Sequence, residues 1–320
     1  MTTQFGYFLS SEEHGPRDLV RNGEAAEAVG FDFLSVSDHF HPWVQAQGHS
    51  PFVWSVLGAL AERTSTIEVG TAVTCPTLRT HPAIIAHATA TTAQLFEGRF
   101  VFGVGSGEAL NEHVLGDRWP RPEIRLEMLE QAMEIIRALW TGETIDLRTP
   151  HYEVENARLF DPPDEPPRVI ASAFGTKAAE VAARIGDGFF GHGSDDEALG
   201  TYHDHGGTGP RYAQLHLCFG PDAEASRETA LRQWPNAGIT GQLAQDLPTW
   251  THFEQAATLV RSEDIEQAVL CGPDRDAIAA RVADYVANGY DHILIHQIGG
   301  EQDGFLDVWH DGLGDAVCNP

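Results

Sequence analysis

The sequence predicts an α/β fold, a (β/α)8 barrel with insertions, on three observations. Eight short apolar runs recur along the chain, and each is followed by helical or mixed material. The length of 320 residues suits one barrel carrying insertions, so residues 1–320 are read as a single domain. The rival, a doubly wound sheet, requires a G-x-G-x-x-G turn after its first strand. None stands there: Gly103-Val104-Gly105-Ser106-Gly107 comes nearest, but it follows the fourth run and lacks the last glycine.

Residues 5–9 form the first strand, and Pro16 suits the first turn of a helix that Leu19, Val20, Ala25, Ala26 and Ala28 carry to a stop at Gly30. Residues 31–36 make strand two. Val53, Val56, Leu57 and Leu60 mark a helix over 53–63, before strand three at 67–73. A helix over 83–96 ends at Gly98 and leads into strand four at 99–104. Met128, Met133, Ile135, Ile136 and Leu139 mark a helix over 124–139. The insertion 143–163 alternates like a hairpin. Strand five (168–172) is followed by a helix running from Gly175 to Gly186, then by strand six (187–190). Residues 197–209 lack a clear pattern. Strand seven (212–217), broken helical material over 222–275, a last crossover helix at 281–287 and strand eight (292–296) complete the count.

Charge narrows the function classes. The chain carries 47 acidic residues against 20 Lys+Arg, a net charge of -27, and Lys177 is its only lysine. Such a surface repels nucleic-acid backbones. High net charge with almost no lysine reads as the cytoplasmic protein of a halophile, where salt screens the self-repulsion. No apolar run reaches membrane-spanning length, and no secretory signal stands at the N-terminus. Cys75, Cys218, Cys271 and Cys318 are widely spaced, without a C-x-x-C pair, and read as reduced thiols.

In a parallel barrel the residues just after each strand converge on one rim. Strand one delivers Glu12 and Glu13, strand two Asp38, His39 and Trp43, strand three Cys75, and strand four Glu108 and Asn111. A histidine among carboxylates is a proton-transfer centre in the making, since each tunes the other's proton affinity. Taken singly, His39 is equally a satisfied loop histidine, Trp43 a core lid and Glu108 a helix cap. Their convergence carries the functional reading. Gly175, Thr176 and Lys177 open the helix after strand five, where free backbone N–H groups and the lone lysine suit a cofactor phosphate. The pairs His39-Phe40-His41 and His203-Asp204-His205, with His192 and His296, raise a metal reading, but two loosely placed pairs are a weak pattern and no metal is expected. No G-x-S-x-G elbow and no P-loop occurs.

Gly6-Tyr7-Phe8, Glu12, Ser37-Asp38-His39-Phe40-His41-Pro42-Trp43, Cys75-Pro76-Thr77-Leu78-Arg79, Pro82, Gly103-Val104-Gly105-Ser106-Gly107-Glu108-Ala109-Leu110-Asn111-Glu112 and Gly186-Asp187-Gly188-Phe189 together resemble a known family. It is the luciferase-like barrel oxidoreductases that use the deazaflavin coenzyme F420, in the glucose-6-phosphate and secondary-alcohol dehydrogenase branch. The resemblance runs from residue 4 to about 190 and returns at Gly272-Pro273-Asp274 and strand eight.

It implies a dehydrogenase exchanging a hydride between an alcohol-type substrate and the deazaflavin, with an FMN-dependent monooxygenase as the alternative on the same fold. His39 would accept the hydroxyl proton as a neutral ring and Trp43 would pack beside the reacting centre. Glu108 would stand near the ring nitrogen of the cofactor, with Glu12 as a further carboxylate. Asp38, Ala72, Val73, Cys75, Gly107 and Asn111 match cofactor positions, and Gly175, Thr176 and Lys177 the phosphate loop. A cis peptide bond is implied at Ala72-Val73, and a homodimer of haloarchaeal source completes the picture. One departure stands out. Where the sugar-phosphate branch carries a phosphate-binding lysine after strand six, this chain has Asp195, and only arginines such as Arg261 or Arg281 remain as substitutes.

Overall fold

Eight parallel strands close into a barrel in the computed structural model, which describes residues 3–193 and 197–318. The first four barrel strands are β1 (Gln4–Leu9), β2 (Phe33–Val36), β3 (Glu68–Thr71) and β4 (Phe100–Val104). The insertion forms the expected antiparallel hairpin of β5 (Ile145–Arg148) and β6 (Glu153–Ala157). The barrel resumes with β7 (Arg168–Ser172), β8 (Gly188–Gly191) and β9 (Arg211–Cys218). A two-residue strand, β10 (Leu270–Cys271), adds to the end of β9, and β11 (His292–Gln297) pairs with both β9 and β1 to close the ring.

The early crossovers are α1 (Pro16–Ala28), α2 (Val53–Arg63), α3 (Pro82–Phe96), the short α4 (Ala109–Glu112), α5 (Pro122–Trp140) and α6 (Thr176–Ile185). They are followed by α7 (Glu197–Asp204), α8 (Ala223–Gln233), α9 (Gln242–Asp246), α10 (Trp250–Ala257), α11 (Ser262–Ala268), α12 (Arg275–Ala287), α13 (Gln302–Val308) and α14 (Gly314–Cys318). Local chemistry sets several ends. Pro82 opens α3, whose first turn is capped by His81 Nδ1 accepting the Ala83 N–H at 3.2 Å, and the positive φ of Glu97 and Gly98 ends it. Helix α12 begins six residues before the apolar pattern does, because Asp274 accepts the Ala277 N–H at 3.0 Å.

Strand alternation sorts side chains into two cores. Phe8, Phe33, Val101, Ile170, Phe190, Tyr212 and Leu294 fill the barrel, while the outward set packs under the helices. Strand two is shorter than its apolar run because Asp32 caps β1, accepting the Phe5 N–H at 2.8 Å. Strand three ends at Thr71, directly before the cis peptide bond Ala72–Val73 that the resemblance implied, and Thr74 bridges back to Val104. Residues 197–204, unpatterned in sequence, are helical as α7, and α13 and α14 extend the chain beyond the last strand. Asp195 lies outside the described residues.

The approach of β3 to β4 leaves no space for a side chain at Gly103, where an added Cβ would fall 1.9 Å from the Thr71 carbonyl oxygen. Gly103→Ala is therefore expected to cost about 3 kcal/mol or more, read as a lowered midpoint in chemical denaturation; an unchanged midpoint would show that the β3–β4 contact yields.

Candidate active site

The loop after β1 carries Ser10, Ser11 and Glu12, and the loop after β2 begins at Ser37. The two are fastened together: Ser11 N–H donates to Ser37 Oγ at 2.9 Å and Ser11 Oγ donates to the Ser37 carbonyl at 2.8 Å. The fastening fixes Glu12, which is fully buried and accepts from Ser10 Oγ at 3.0 Å and Ser37 Oγ at 2.8 Å through one oxygen. Its other oxygen lies 2.5 Å from His39 Nδ1, a contact of charge and proximity without an aligned N–H···O bond. The opposite ring nitrogen of His39, Nε2, lies 3.5 Å from Glu108 Oε1. Trp43 meets the His39 ring edge-on at 5.1 Å and is itself backed by Phe253 at 5.0 Å.

Glu108 stands at the N-cap position of α4 but makes no side-chain cap, so its carboxylate is not used up locally. Asn111, fully buried one turn on, orients it by donating from Nδ2 to Glu108 Oε1 at 2.5 Å. The same amide accepts the backbone N–H groups of Phe40 and His41, both at 2.8 Å, through Oδ1. One buried side chain thus ties the exit of β4 to the histidine loop of β2.

The electrostatics of the His39 centre follow from this enclosure. Burial pushes the Glu12 carboxyl up, but the charge of the adjacent His39 and the hydrogen bond from Ser37 outweigh it and bring the pKa down to about 2. Burial pulls His39 down, yet the charges of Glu12 and Glu108 raise it to about 9. The flanking carboxylates therefore favour the imidazolium at neutral pH, and the neutral ring that accepts a proton is the form reached as pH rises.

Beneath the loop a second ionic group, outside the candidate residues drawn from sequence, holds Asp38. Arg79 donates to the Asp38 carboxylate at 2.9 Å and to its carbonyl at 3.0 Å, and reaches Glu112 at 3.4 Å. Thr74 Oγ1 donates to the other Asp38 oxygen at 2.9 Å. Burial raises Glu112 to about 7 against the pull of Arg79. Cys75 is buried beside Thr77 Oγ1 at 3.0 Å, its thiol pushed well above the usual range by burial, so it is a packing group rather than a thiolate. Gly107 holds φ +73 and an added Cβ would lie 2.6 Å from Cys75 Sγ, which explains glycine there.

Gly175, Thr176 and Lys177 sit apart from this cluster, exposed at the start of α6, where no side chain caps the first turn. Lys177 pairs with Glu123 of α5 at 3.0 Å on the outer surface. Arg261 is likewise paired outside, with Asp264 at 2.9 Å. His41, His203 and His205 each contact backbone carbonyls, and among the described residues no group of three or more His, Cys, Asp or Glu is placed to hold a metal ion. The serines that fasten the loops, and Arg79, went unassigned in sequence. The alternation Ser35-Val36-Ser37 and the arginine after a strand-exit Cys-Pro were the available signals.

A closed parallel barrel with an acid-flanked histidine at its carboxyl rim is the arrangement of a barrel enzyme. The family model described as luciferase-like monooxygenase matches residues 2–292, and the chain belongs to that family. It is 35% identical over 325 residues to an F420-dependent glucose-6-phosphate dehydrogenase of Segniliparus rotundus, covering 97% of this chain and 96% of that protein. The enzyme of the same description from Kribbella flavida is 34% identical, with 96% of each chain covered. Among solved structures, an F420-dependent secondary alcohol dehydrogenase in complex with an F420–acetone adduct superimposes with a TM-score of 0.92 at 26% identity over 99% of both chains. A coenzyme F420 dependent tetrahydromethanopterin reductase from Methanopyrus kandleri shares the fold, with a TM-score of 0.78 at 17% identity over 97% of this chain and 98% of that one.

Arg79 neutralises two carboxylates in a site that is nearly dry. Arg79→Met should destabilise the protein by about 3–5 kcal/mol at pH 8, and by less near pH 5, where Glu112 takes up a proton; equal losses at both values in urea denaturation would show that the pair is not what Arg79 supports.

Proposed function

We propose that this protein is a coenzyme F420-dependent dehydrogenase that moves a hydride between an alcohol-type substrate and the deazaflavin. The substrate is a sugar, a sugar phosphate such as glucose 6-phosphate, or a secondary alcohol. The observation that carries the reading is His39 held between Glu12 and Glu108 at the barrel mouth. Oxidising an alcohol removes a hydroxyl proton as the carbon gives up hydride, and the reverse reaction returns that proton to a carbonyl oxygen. A histidine clamped by two carboxylates does both: it donates as imidazolium and accepts once it is neutral.

The residues present fit the cofactor. Glu108 and Asn111 are oriented but not used up by helix capping, and Asp38 is locked by Arg79 and Thr74. The first-turn amides of α6 are open to an anion beside Gly175, Thr176 and Lys177. In this reading Glu108, Asp38, Ala72, Val73, Cys75, Gly107 and Asn111 surround the ring, and the α6 terminus takes the phosphate. Bound deazaflavin supplies the hydride-accepting carbon without activating oxygen as a flavin does. Glu12 keeps His39 charged, and Trp43 shields it from bulk water.

The finer reading is a single-domain cytoplasmic homodimer adapted to high salt. The net charge of -27, the single lysine and the unpaired cysteines Cys75, Cys218 and Cys271 support the setting; the family resemblance supports the dimer.

The test of the cofactor is a fluorescence and calorimetric titration with coenzyme F420 and with FMN, in dilute buffer and in molar KCl. Binding of the deazaflavin alone, tighter in salt, is expected. Preference for FMN would make the protein a monooxygenase, and indifference to salt would remove the halophilic reading. The protonation of His39 gives a second expectation. For alcohol oxidation kcat/KM should rise with pH toward about 9, as the imidazolium is lost, while ketone reduction falls over the same range. Removing the nearer negative charge lowers the His39 pKa, so Glu12→Gln should move both profiles to lower pH. Profiles unmoved by Glu12→Gln would place the titrating proton on another group. His39→Ala should lower turnover by roughly 100-fold or more.

A further inference from the structure

Two of the widely spaced cysteines come together in the fold. The two-residue strand β10 lies parallel to the end of β9, with Leu270 opposite Leu217 and Cys271 opposite Cys218. The Gly272 N–H donates to the Cys218 carbonyl at 3.0 Å and locks that register. Residues directly opposite on parallel strands send their side chains to the same face, and neighbouring strands lie about 4.8 Å apart. A disulfide spans Cα separations of about 4.4–6.8 Å, so the main chain already stands at bridging distance. Both side chains enter one apolar cluster, with Ala230, Trp234, Ile265, Val269 and Ile298.

Each thiol now points to a main-chain carbonyl: Cys218 Sγ to that of Ile298 at 3.5 Å, and Cys271 Sγ to that of Val269 at 3.7 Å. A thiol is a weak donor, and rotation about the Cα–Cβ bond of each residue exchanges these contacts for one another. Cys218 is buried, while Cys271 is partly open to solvent. Burial, with Cys271 beside it, pushes the Cys218 thiol up to about 12. Burial raises Cys271 to about 11, against the pull of Arg227. Cys271 is therefore the sulfur a reagent reaches first, and the easier one to ionise. Cys75 meets the Thr77 hydroxyl instead of a second sulfur.

We propose that Cys218 and Cys271 are a site of reversible oxidation, which closes to a disulfide when the protein meets a peroxide. The Cys271 thiolate attacks one oxygen of hydrogen peroxide, the O–O bond breaks, and Cys271 becomes a sulfenic acid as the first water forms. The Cys218 sulfur then displaces the hydroxide from Cys271, and the Cys218 proton leaves with it as the second water. Two thiols give up two electrons in all, and one peroxide is reduced to two waters. With both thiols protonated at neutral pH, closure is slow and answers sustained oxidant rather than a brief pulse. The bridge spans the segment that carries Trp234, edge-on to His296 at 4.5 Å, and Phe253, which backs Trp43 at 5.0 Å. It therefore staples down one wall of the mouth. The site stands whether or not the protein turns over an alcohol.

The experiment treats the full, folded chain with hydrogen peroxide, blocks the remaining thiols with N-ethylmaleimide in denaturant, and maps the peptides by mass spectrometry. The expected product is a Cys218–Cys271 cross-link that dithiothreitol reverses, with labelled thiols falling from the chain's four to two. Because the thiolate is the nucleophile, the initial rate should rise about tenfold per pH unit between about pH 7 and 9. The oxidised protein should melt about 5 °C or more above the reduced one, since the bridge closes a long loop of the unfolded chain. Cys271→Ser, at a half-open position, should keep the reduced midpoint and lose the rise. No cross-link, a link to Cys75 or Cys318 instead, or Cys271 carried on to sulfinic acid while Cys218 still takes the label overturns the proposal. A cross-link that lowers the midpoint overturns it as well, because such a bond forms only by distorting the strand pair.

Discussion

Closing eight parallel strands on themselves leaves a single end where their carboxyl termini meet solvent, and the chemistry of this protein is confined to that end. The inside of the barrel is filled by Phe8, Phe33, Val101, Ile170, Phe190, Tyr212 and Leu294, so nothing polar passes through it. Loops that leave the rim would wander without ties, and the ties are short polar side chains: Ser11 to Ser37 between the first two strands, and Asn111 from the fourth strand to the loop of the second. Pre-organisation of this kind lets a histidine and two carboxylates stay in contact without collapsing into a structural salt bridge.

The acidity of the chain bears on the site in an unexpected sense. With 47 acidic residues, the natural difficulty is to hold carboxylates close together in the mouth. Arg79 stands between Asp38 and Glu112, and His39 between Glu12 and, at longer range, Glu108. Lys177, the only lysine, is used on the outer surface against Glu123, which leaves the α6 backbone as the source of positive field for an anion there.

The strands and most helices were legible because their apolar periods are long and their ends are marked by Gly30, Gly98, Pro16 and Pro82. Helix α7 was not, because Glu197–Asp204 buries only Ala198, Leu199 and Tyr202, too few to set a period. At the site, motif residues such as His39, Glu108 and Asn111 stood out by position after a strand. What holds them did not. Ser37 and Thr74 are ordinary strand-exit residues in sequence, and their importance lies in donors aimed at Glu12 and Asp38, which only three-dimensional contact reveals. The raised pKa of His39 was hidden for the same reason, since the two carboxylates that cause it are 27 and 69 residues away in sequence.

His39 touches its carboxylate directly and is flanked by another, so attraction exceeds the cost of burying a charge and the protonated ring is favoured. The same clamp suits exchange of a proton with a reacting oxygen, because the imidazolium can give the proton and the neutral ring can take it back. Trp43, edge-on to the ring and backed by Phe253, holds the imidazole where that exchange takes place.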